Sequence, residues 1–145
     1  MKLKQPKNLW FLYFLKNSSW VYKIWITKNL GTRLRLYNLW NHIDINILFI
    51  AKIFDYSQAE REVKKYFSSH CKDVFKREWA ILTPEQEKEV IKIAQTFIWA
   101  ICFNSHFYWQ DKVSDNSTLV DFYHTINITK AVNVANKFFK TIDFI

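Results

Sequence analysis

The amino-acid sequence predicts one α/β (α+β) domain, in which a small three-stranded sheet is flanked by helices. Three observations lead to this fold class. Short runs of aromatic and β-branched residues alternate with segments of helical periodicity, half of the 145 residues are hydrophobic, and 19% are aromatic. A chain of this length forms one domain with a core, and such a composition excludes extensive disorder.

Two runs in the N-terminal part predict a β-hairpin. Residues 9–15 and 20–27 are rich in aromatic and β-branched side chains, and the polar residues 16–19 between them have the chemistry of a turn. Because side chains alternate along a strand, we expect Lys23 and Trp25 on one face of the second strand.

The chain then continues with a helix, a strand and another helix. The helical spacing of apolar residues predicts a helix over residues 29–38, and the apolar run at residues 45–54 predicts a buried third strand. The helix over residues 57–68 carries a capping-box signal, with Ser57 at the N-cap and Glu60 three residues later.

A further helix is indicated by Thr83 as its N-cap and Pro84 at its first position. Its apolar stripe extends to Ile101, and a last helix is expected over residues 132–139. The predicted order of elements is therefore β-β-α-β-α-α, followed by a C-terminal extension.

The net charge of +8 is concentrated in the N-terminal third of the chain. Residues 1–43 contain no acidic residue, whereas the remaining 102 residues hold 13 basic and 13 acidic residues. The basic residues of the first segment are Lys2, Lys4, Lys7, Lys16, Lys23, Lys28, Arg33 and Arg35. Such a segregated basic region predicts a polyanion as partner; a solvated basic tail is the alternative.

The number of cysteines and the length of the apolar segments predict where in the cell the protein is located. Cys71 and Cys102 are too few for a disulfide framework, and the chain has no signal-peptide pattern. Its longest apolar runs are far shorter than the roughly 18 residues that a membrane span needs. We therefore expect a reduced, soluble, cytoplasmic protein without a membrane partner.

Two blocks of motifs carry a family resemblance, and they consist of Leu12-Tyr13, YKIWITKN at residues 22–29, Arg33, Ala59-Glu60 and REWAILT at residues 77–83. In this order and spacing they resemble the GIY-YIG nuclease superfamily. The likeness is closest to the branch that has KIG in place of YIG, a T-K-N-x-x-x-R run and a later G-E-W-F segment. It covers about two thirds of the chain.

The resemblance implies a metal-dependent DNA endonuclease and a role for each matching residue. Tyr13 matches the tyrosine that positions or activates the attacking water. Lys23 matches a residue facing the scissile phosphate, and Arg33 matches the arginine that contacts it. Tyr37 matches an active-site position, and Glu78 matches the ligand of a single Mg²⁺ or Mn²⁺ ion.

These roles agree with the chemistry of phosphodiester hydrolysis. That reaction needs an oriented nucleophile and stabilisation of charge on the phosphate oxygens. A hard cation on a carboxylate supplies the Lewis acid. The resemblance implies a GIY-YIG-like nuclease domain at residues 1–100, with residues 101–145 as a C-terminal extension packed on the same domain. The oligomeric state and the DNA preference stay open.

The chain also departs from the family pattern. Phe11 and Trp25 stand where the two motif glycines are expected, Lys64 replaces a histidine, and Arg77 and Ala80 replace Gly and Phe around the Glu-Trp pair. A glycine allows close backbone approach, so Trp25 shields the site, stacks on a base or marks a loss of cleavage. Two alternatives therefore stay open: an inactive GIY-YIG-like module that binds nucleic acid, and a structural protein with a chance motif match.

A zinc site is disfavoured by the spacing of its candidate ligands, which are His42, His70, Cys71, Cys102, His106 and His124. They form no paired C-x-x-C or H-x-x-x-H arrangement. The aromatic residues at 106–109 could stack on bases, but packing under the extension is the favoured interpretation.

Overall fold

The computed structural model describes residues 10–17, 21–31, 45–70, 74–75, 79–104, 117–120 and 128–143. The strands in these ranges are β1 (Trp10–Asn17), β2 (Val21–Thr27), β3 (Ile45–Ile53), β4 (Val74–Phe75), β5 (Trp79–Ile81), β6 (Ile98–Asn104) and β7 (Ser117–Val120). The helices are α1 (Tyr56–His70), α2 (Pro84–Gln95) and α3 (Ile128–Asp143). Of the predicted helix over residues 29–38, Leu30 and Gly31 are described and are helical; residues 32–38 lie outside the described ranges.

The seven described strands form one sheet in the order β4-β5-β2-β1-β3-β6-β7. The five central strands, from β5 to β6, pair antiparallel. At the edges β4 is antiparallel to β5, and β7 is parallel to β6. The prediction of a small three-stranded sheet in the order β-β-α-β-α-α is therefore wrong. The predicted hairpin and third strand exist, but they form the middle of a larger sheet in a mixed α+β fold.

The prediction that the helix beginning at Pro84 extends to Ile101 is also wrong, because residues 98–104 form the strand β6. The helix α2 ends at Gln95, and the Thr96 N–H donates back to the Ile93 carbonyl oxygen. Six of the seven residues of β6 are buried. A strand buried on both faces has a continuous apolar run, and periodicity cannot separate such a run from a buried helix. Ile101 consequently lies on β6, which also crosses the expected division of the chain at residue 100.

Helices cover both faces of the sheet. Face A, the face under α1 and α2, buries Leu12, Phe14, Tyr22, Ile24, Phe49 and Phe103. Face B, the face under α3, buries Tyr13, Leu15, Ile47, Ile50, Ala100 and Cys102 against Ala131, Ala135 and Phe139 of the helix. Alternate residues of β1 thus enter two separate cores, as the twofold period of a strand requires.

A row of four aromatic rings crosses face A from strand to strand. The Phe14 ring lies 5.6 Å, centroid to centroid, from both Tyr22 on β2 and Phe49 on β3. Phe49 in turn lies 6.1 Å from Phe103 on β6. Such tilted and edge-on pairs contribute roughly 0.5–1.5 kcal/mol each beyond the area that they bury. The row therefore ties together the four longest strands of the sheet.

The helix caps confirm one predicted start and correct another. The side chain of Thr83 accepts from the Gln86 N–H and completes a capping box with Pro84 at the first position, as expected. In α1, however, Asp55 is the N-cap, because its Oδ1 accepts from the Gln58 N–H at 3.1 Å. The prediction of Ser57 as the cap was therefore wrong. Among the described helices, α3 contains the predicted helix at 132–139, and none is long and apolar enough to cross a membrane.

The corrected cap of α1 gives a direct test. We expect Asp55→Ala to lower the free energy of unfolding by about 1 kcal/mol, because the Gln58 N–H loses its acceptor. Ser57→Ala, two residues further on, should change stability by less than about 0.5 kcal/mol. Urea denaturation of both variants measures the difference. Equal losses, or a larger loss for Ser57→Ala, would contradict the assignment.

Candidate functional site

The hairpin register brings two of the predicted site residues together on face B. Tyr13 pairs with Trp25, and Leu15 pairs with Lys23. Paired residues of adjacent strands share a face, so Tyr13 and Lys23 are diagonal neighbours, with Cα atoms roughly 7–8 Å apart. The strand pairing therefore places a tyrosine and a lysine as diagonal neighbours on one face of the sheet.

Both side chains are buried. Tyr13 has no exposed surface and Lys23 is 2% exposed. Tyr13 belongs to the face-B cluster, which Leu30 and residues of α3 also enter. A phosphate of DNA can therefore contact either side chain only after the residues that cover face B have moved.

The other three predicted site residues, Arg33, Tyr37 and Glu78, lie outside the described residues. Their described neighbours are nevertheless informative. Leu30, which precedes Arg33 by three positions, is buried in the same cluster as Tyr13. Trp79, which directly follows Glu78, pairs with Lys23 across β5 and β2. Leu30 therefore packs in the core around Tyr13, and Trp79 lies beside Lys23.

Two departures from the family pattern contact each other. The Lys64 Nζ atom, at the place of the expected histidine, lies 5.0 Å from the centroid of the Trp25 ring, at the place of the expected glycine. Lys64 also forms an ion pair with Glu60, one turn earlier on α1, at 2.7 Å. Trp25 lies beyond Lys23, the last residue of β2 that pairs with β5. A tryptophan at this position therefore links β2 to α1.

A small apolar pocket lies beside this contact. Its volume is about 10 Å³, and it is lined by Leu12, Ile24, Trp25, Ile26, Glu60 and Val63. Trp25 and Glu60 form part of its wall, so the cation–π contact and the ion pair border the pocket. Its lining is almost wholly apolar, which fits a gap in packing more closely than a phosphate site.

Sequence reasoning missed a buried polar cluster on face A. Glu87, in the first turn of α2, is 4% exposed and faces Tyr22 on β2. The Tyr22 hydroxyl and the Glu87 Oε1 atom are buried, but they complete no well-formed hydrogen bond with each other or with another described residue. The Lys16 Nζ atom lies 5.4 Å from the Tyr22 ring centroid.

Burial controls the protonation of this cluster. Desolvation raises the pKa of Glu87, although Tyr22 and the charges of Lys16 and Lys88 oppose the shift. Desolvation and the nearby Glu87 charge also raise the pKa of Tyr22. Desolvation lowers the pKa of Lys16, while Glu87 opposes that shift.

The sequence contained a signal for this buried acid. Glu87 precedes Val90, Ile91 and Ala94 by three, four and seven positions, and all three are buried. That spacing puts Glu87 on the apolar face of α2.

Comparison with protein-family models, with curated proteins and with solved structures gives no match. Within the described ranges, no group of three or more His, Cys, Asp or Glu side chains is arranged to hold a metal ion. The predicted ligand Glu78 lies outside those ranges. Tyr13 and Lys23 are thus the part of the predicted site whose geometry is defined.

The buried Glu87 predicts a pH-dependent stability. Because its folded-state pKa is raised, its stability contribution is fully present below the unfolded-state pKa and is lost as pH rises through the folded-state pKa. We expect Glu87→Gln to stabilise the protein at pH 7 by about 1 kcal/mol or more. The gain should disappear below about pH 4, where a glutamate is protonated in both states.

Denaturant unfolding at pH 4 and pH 7 tests this expectation. Glu85→Gln is the matched control, because Glu85 is an exposed acid in the same first turn of α2. The control should show no comparable gain. A Glu87→Gln effect of the same size at both pH values would rule out titration of the buried carboxyl as its cause.

Proposed function

We propose that this protein is a metal-dependent DNA endonuclease. The observation that supports it best is that Tyr13 on β1 and Lys23 on β2 are neighbours on face B, and that Trp79 on β5 pairs with Lys23. Three separated motifs of the GIY-YIG resemblance thereby approach one another in the fold. The strand pairing is independent of the motif match, because it follows from the hydrogen-bonded register.

In the proposed reaction Tyr13 positions the attacking water for in-line displacement. Lys23 and Arg33 offset the charge that develops on the phosphate oxygens. Tyr37 is the remaining residue of the proposed active site. Glu78 would hold a Mg²⁺ or Mn²⁺ ion, which would supply Lewis acidity when bound. The carboxylate is a suitable hard ligand for either cation.

DNA is the proposed partner because of the distribution of charge. Residues 1–43 contain eight basic residues and no acidic residue. Each cation placed on a phosphate releases a condensed counterion, so such a segment favours binding to nucleic acid. The same proposal puts the protein in the cytoplasm, and the free thiol of Cys102 agrees with a reducing compartment.

A second candidate function is nucleic-acid binding without cleavage. The burial of Tyr13 and Lys23 favours it, since neither side chain can contact a phosphate in the described arrangement. The contact of Trp25 with Lys64 favours it too, because both positions depart from the family pattern. The basic segment serves this function equally well, so only a cleavage assay separates the two candidates.

Cleavage should depend on metal and on Glu78. We expect the wild type to cut plasmid or branched DNA with Mg²⁺ or Mn²⁺ and to stop when EDTA is added. Glu78→Ala should lower the rate at least about 100-fold, because the metal loses its carboxylate. Glu62→Ala, an exposed acid on α1, is the control and should cut normally. A folded wild type that binds DNA but cuts no substrate would instead establish the binding module.

Tyr13 should matter for cleavage through its hydroxyl alone. Tyr13→Phe keeps the ring in the face-B core, and we expect at least about a 100-fold slower rate if the phenol orients the water. Tyr22→Phe is a matched control, because Tyr22 is equally buried on face A. Gel assays, with thermal melting to verify folding, measure both variants. Equal rates for the two would remove Tyr13 from the site.

A further inference from the structure

One end of the sheet carries a group of aromatic rings next to a lysine. Because β1 runs antiparallel to both neighbours, its first residue Trp10 lies beside the ends of β2 and β3. Lys28 follows β2, whereas Phe54 and Tyr56 follow β3. Trp10, Lys28, Phe54 and Tyr56 are named the aromatic patch here.

Two rings of the patch stack on each other, and two of its rings are exposed. Trp10 and Tyr56 stack with centroids 4.2 Å apart and planes inclined by 17°. The Lys28 Nζ atom lies 5.7 Å from the Trp10 centroid. Tyr56 is nevertheless 41% exposed and Phe54 52% exposed. They are the two aromatic residues among the four large hydrophobic side chains exposed within the described ranges.

We propose that the aromatic patch stacks an unpaired DNA base, with Lys28 on a neighbouring phosphate. This inference rests on the proposed function only in taking DNA as the partner. Trp10 and Lys28 both belong to residues 1–43, which hold eight basic residues and no acid, and such a segment attracts a polyanion. The carboxylate of Asp55, between Phe54 and Tyr56, accepts from the Gln58 N–H at the N-terminus of α1, where the helix dipole offsets part of its charge.

Stacking on this patch needs little reorganisation. The contact with Trp10 holds the Tyr56 ring in one orientation, so a base that stacks on it gives up less side-chain entropy than on a free ring. Base–aromatic stacking contributes about 1–3 kcal/mol per base and tolerates any sequence. A base inside an intact duplex offers no free face, so the patch selects DNA that has unpaired nucleotides.

Binding of a dye-labelled single-stranded thymidine oligonucleotide and of a duplex of equal length tests the proposal by fluorescence anisotropy. EDTA is present throughout, so the measurement is independent of cleavage. We expect Tyr56→Ala to weaken single-strand binding about 5- to 100-fold and duplex binding less than twofold. Tyr56→Phe should retain the affinity. Ile81→Ala, which removes a similarly exposed apolar residue elsewhere, should change neither.

Two further variants separate a loss of stacking from a loss of folding. Phe54→Ala removes an exposed ring outside the Trp10 stack and should weaken the same oligonucleotide. Lys28→Ala should reduce the slope of affinity against salt by about one counterion, whereas Tyr56→Ala should leave that slope unchanged. If Tyr56→Ala and Phe54→Ala both match Ile81→Ala, or weaken duplex and single strand equally, the stacking proposal is overturned. A protein that shows the expected selectivity but never cuts would overturn the nuclease alone.

Discussion

The row of aromatic rings across face A is the interaction on which the positions of the other residues depend. It ties β2, β1, β3 and β6 through Tyr22, Phe14, Phe49 and Phe103. A slip of β1 by one residue would turn Phe14 onto face B and Tyr13 onto face A. Since both faces are covered by helices, such a slip would disrupt two cores at once. The register that places Tyr13 beside Lys23 is therefore held from the opposite face of the sheet.

Any chemistry on face B requires the substrate to reach side chains that the covering residues bury. A tyrosine and a lysine in one core make a suitable pair for a phosphate only if the substrate can reach them. Trp25 and Lys64, the two positions that differ from the expected glycine and histidine, contact each other where the end of β2 meets α1. The substitutions are thus linked in space, which a comparison of each position with the motif alone does not reveal.

The two faces also differ in how polar groups are accommodated. Face A buries Glu87 against Tyr22 without a completed hydrogen bond, and the raised pKa of the carboxyl is the consequence of that burial. A buried, imperfectly satisfied carboxyl costs stability. The neighbouring aromatic row and apolar helix face supply the compensating burial of apolar surface.

Local chemistry by itself determined the hairpin strands, the buried strand β3, and the helix start at Thr83, because each depends on neighbours within a few positions in the sequence. Tertiary structure decided the rest. The run that became β6 is equally compatible with a helix until pairing with β3 selects the strand. Asp55 rather than Ser57 caps α1 because the chain leaves β3 at Phe54. The burial of Tyr13 and Lys23 arises from packing between segments distant in sequence, and no local pattern encodes such long-range contacts.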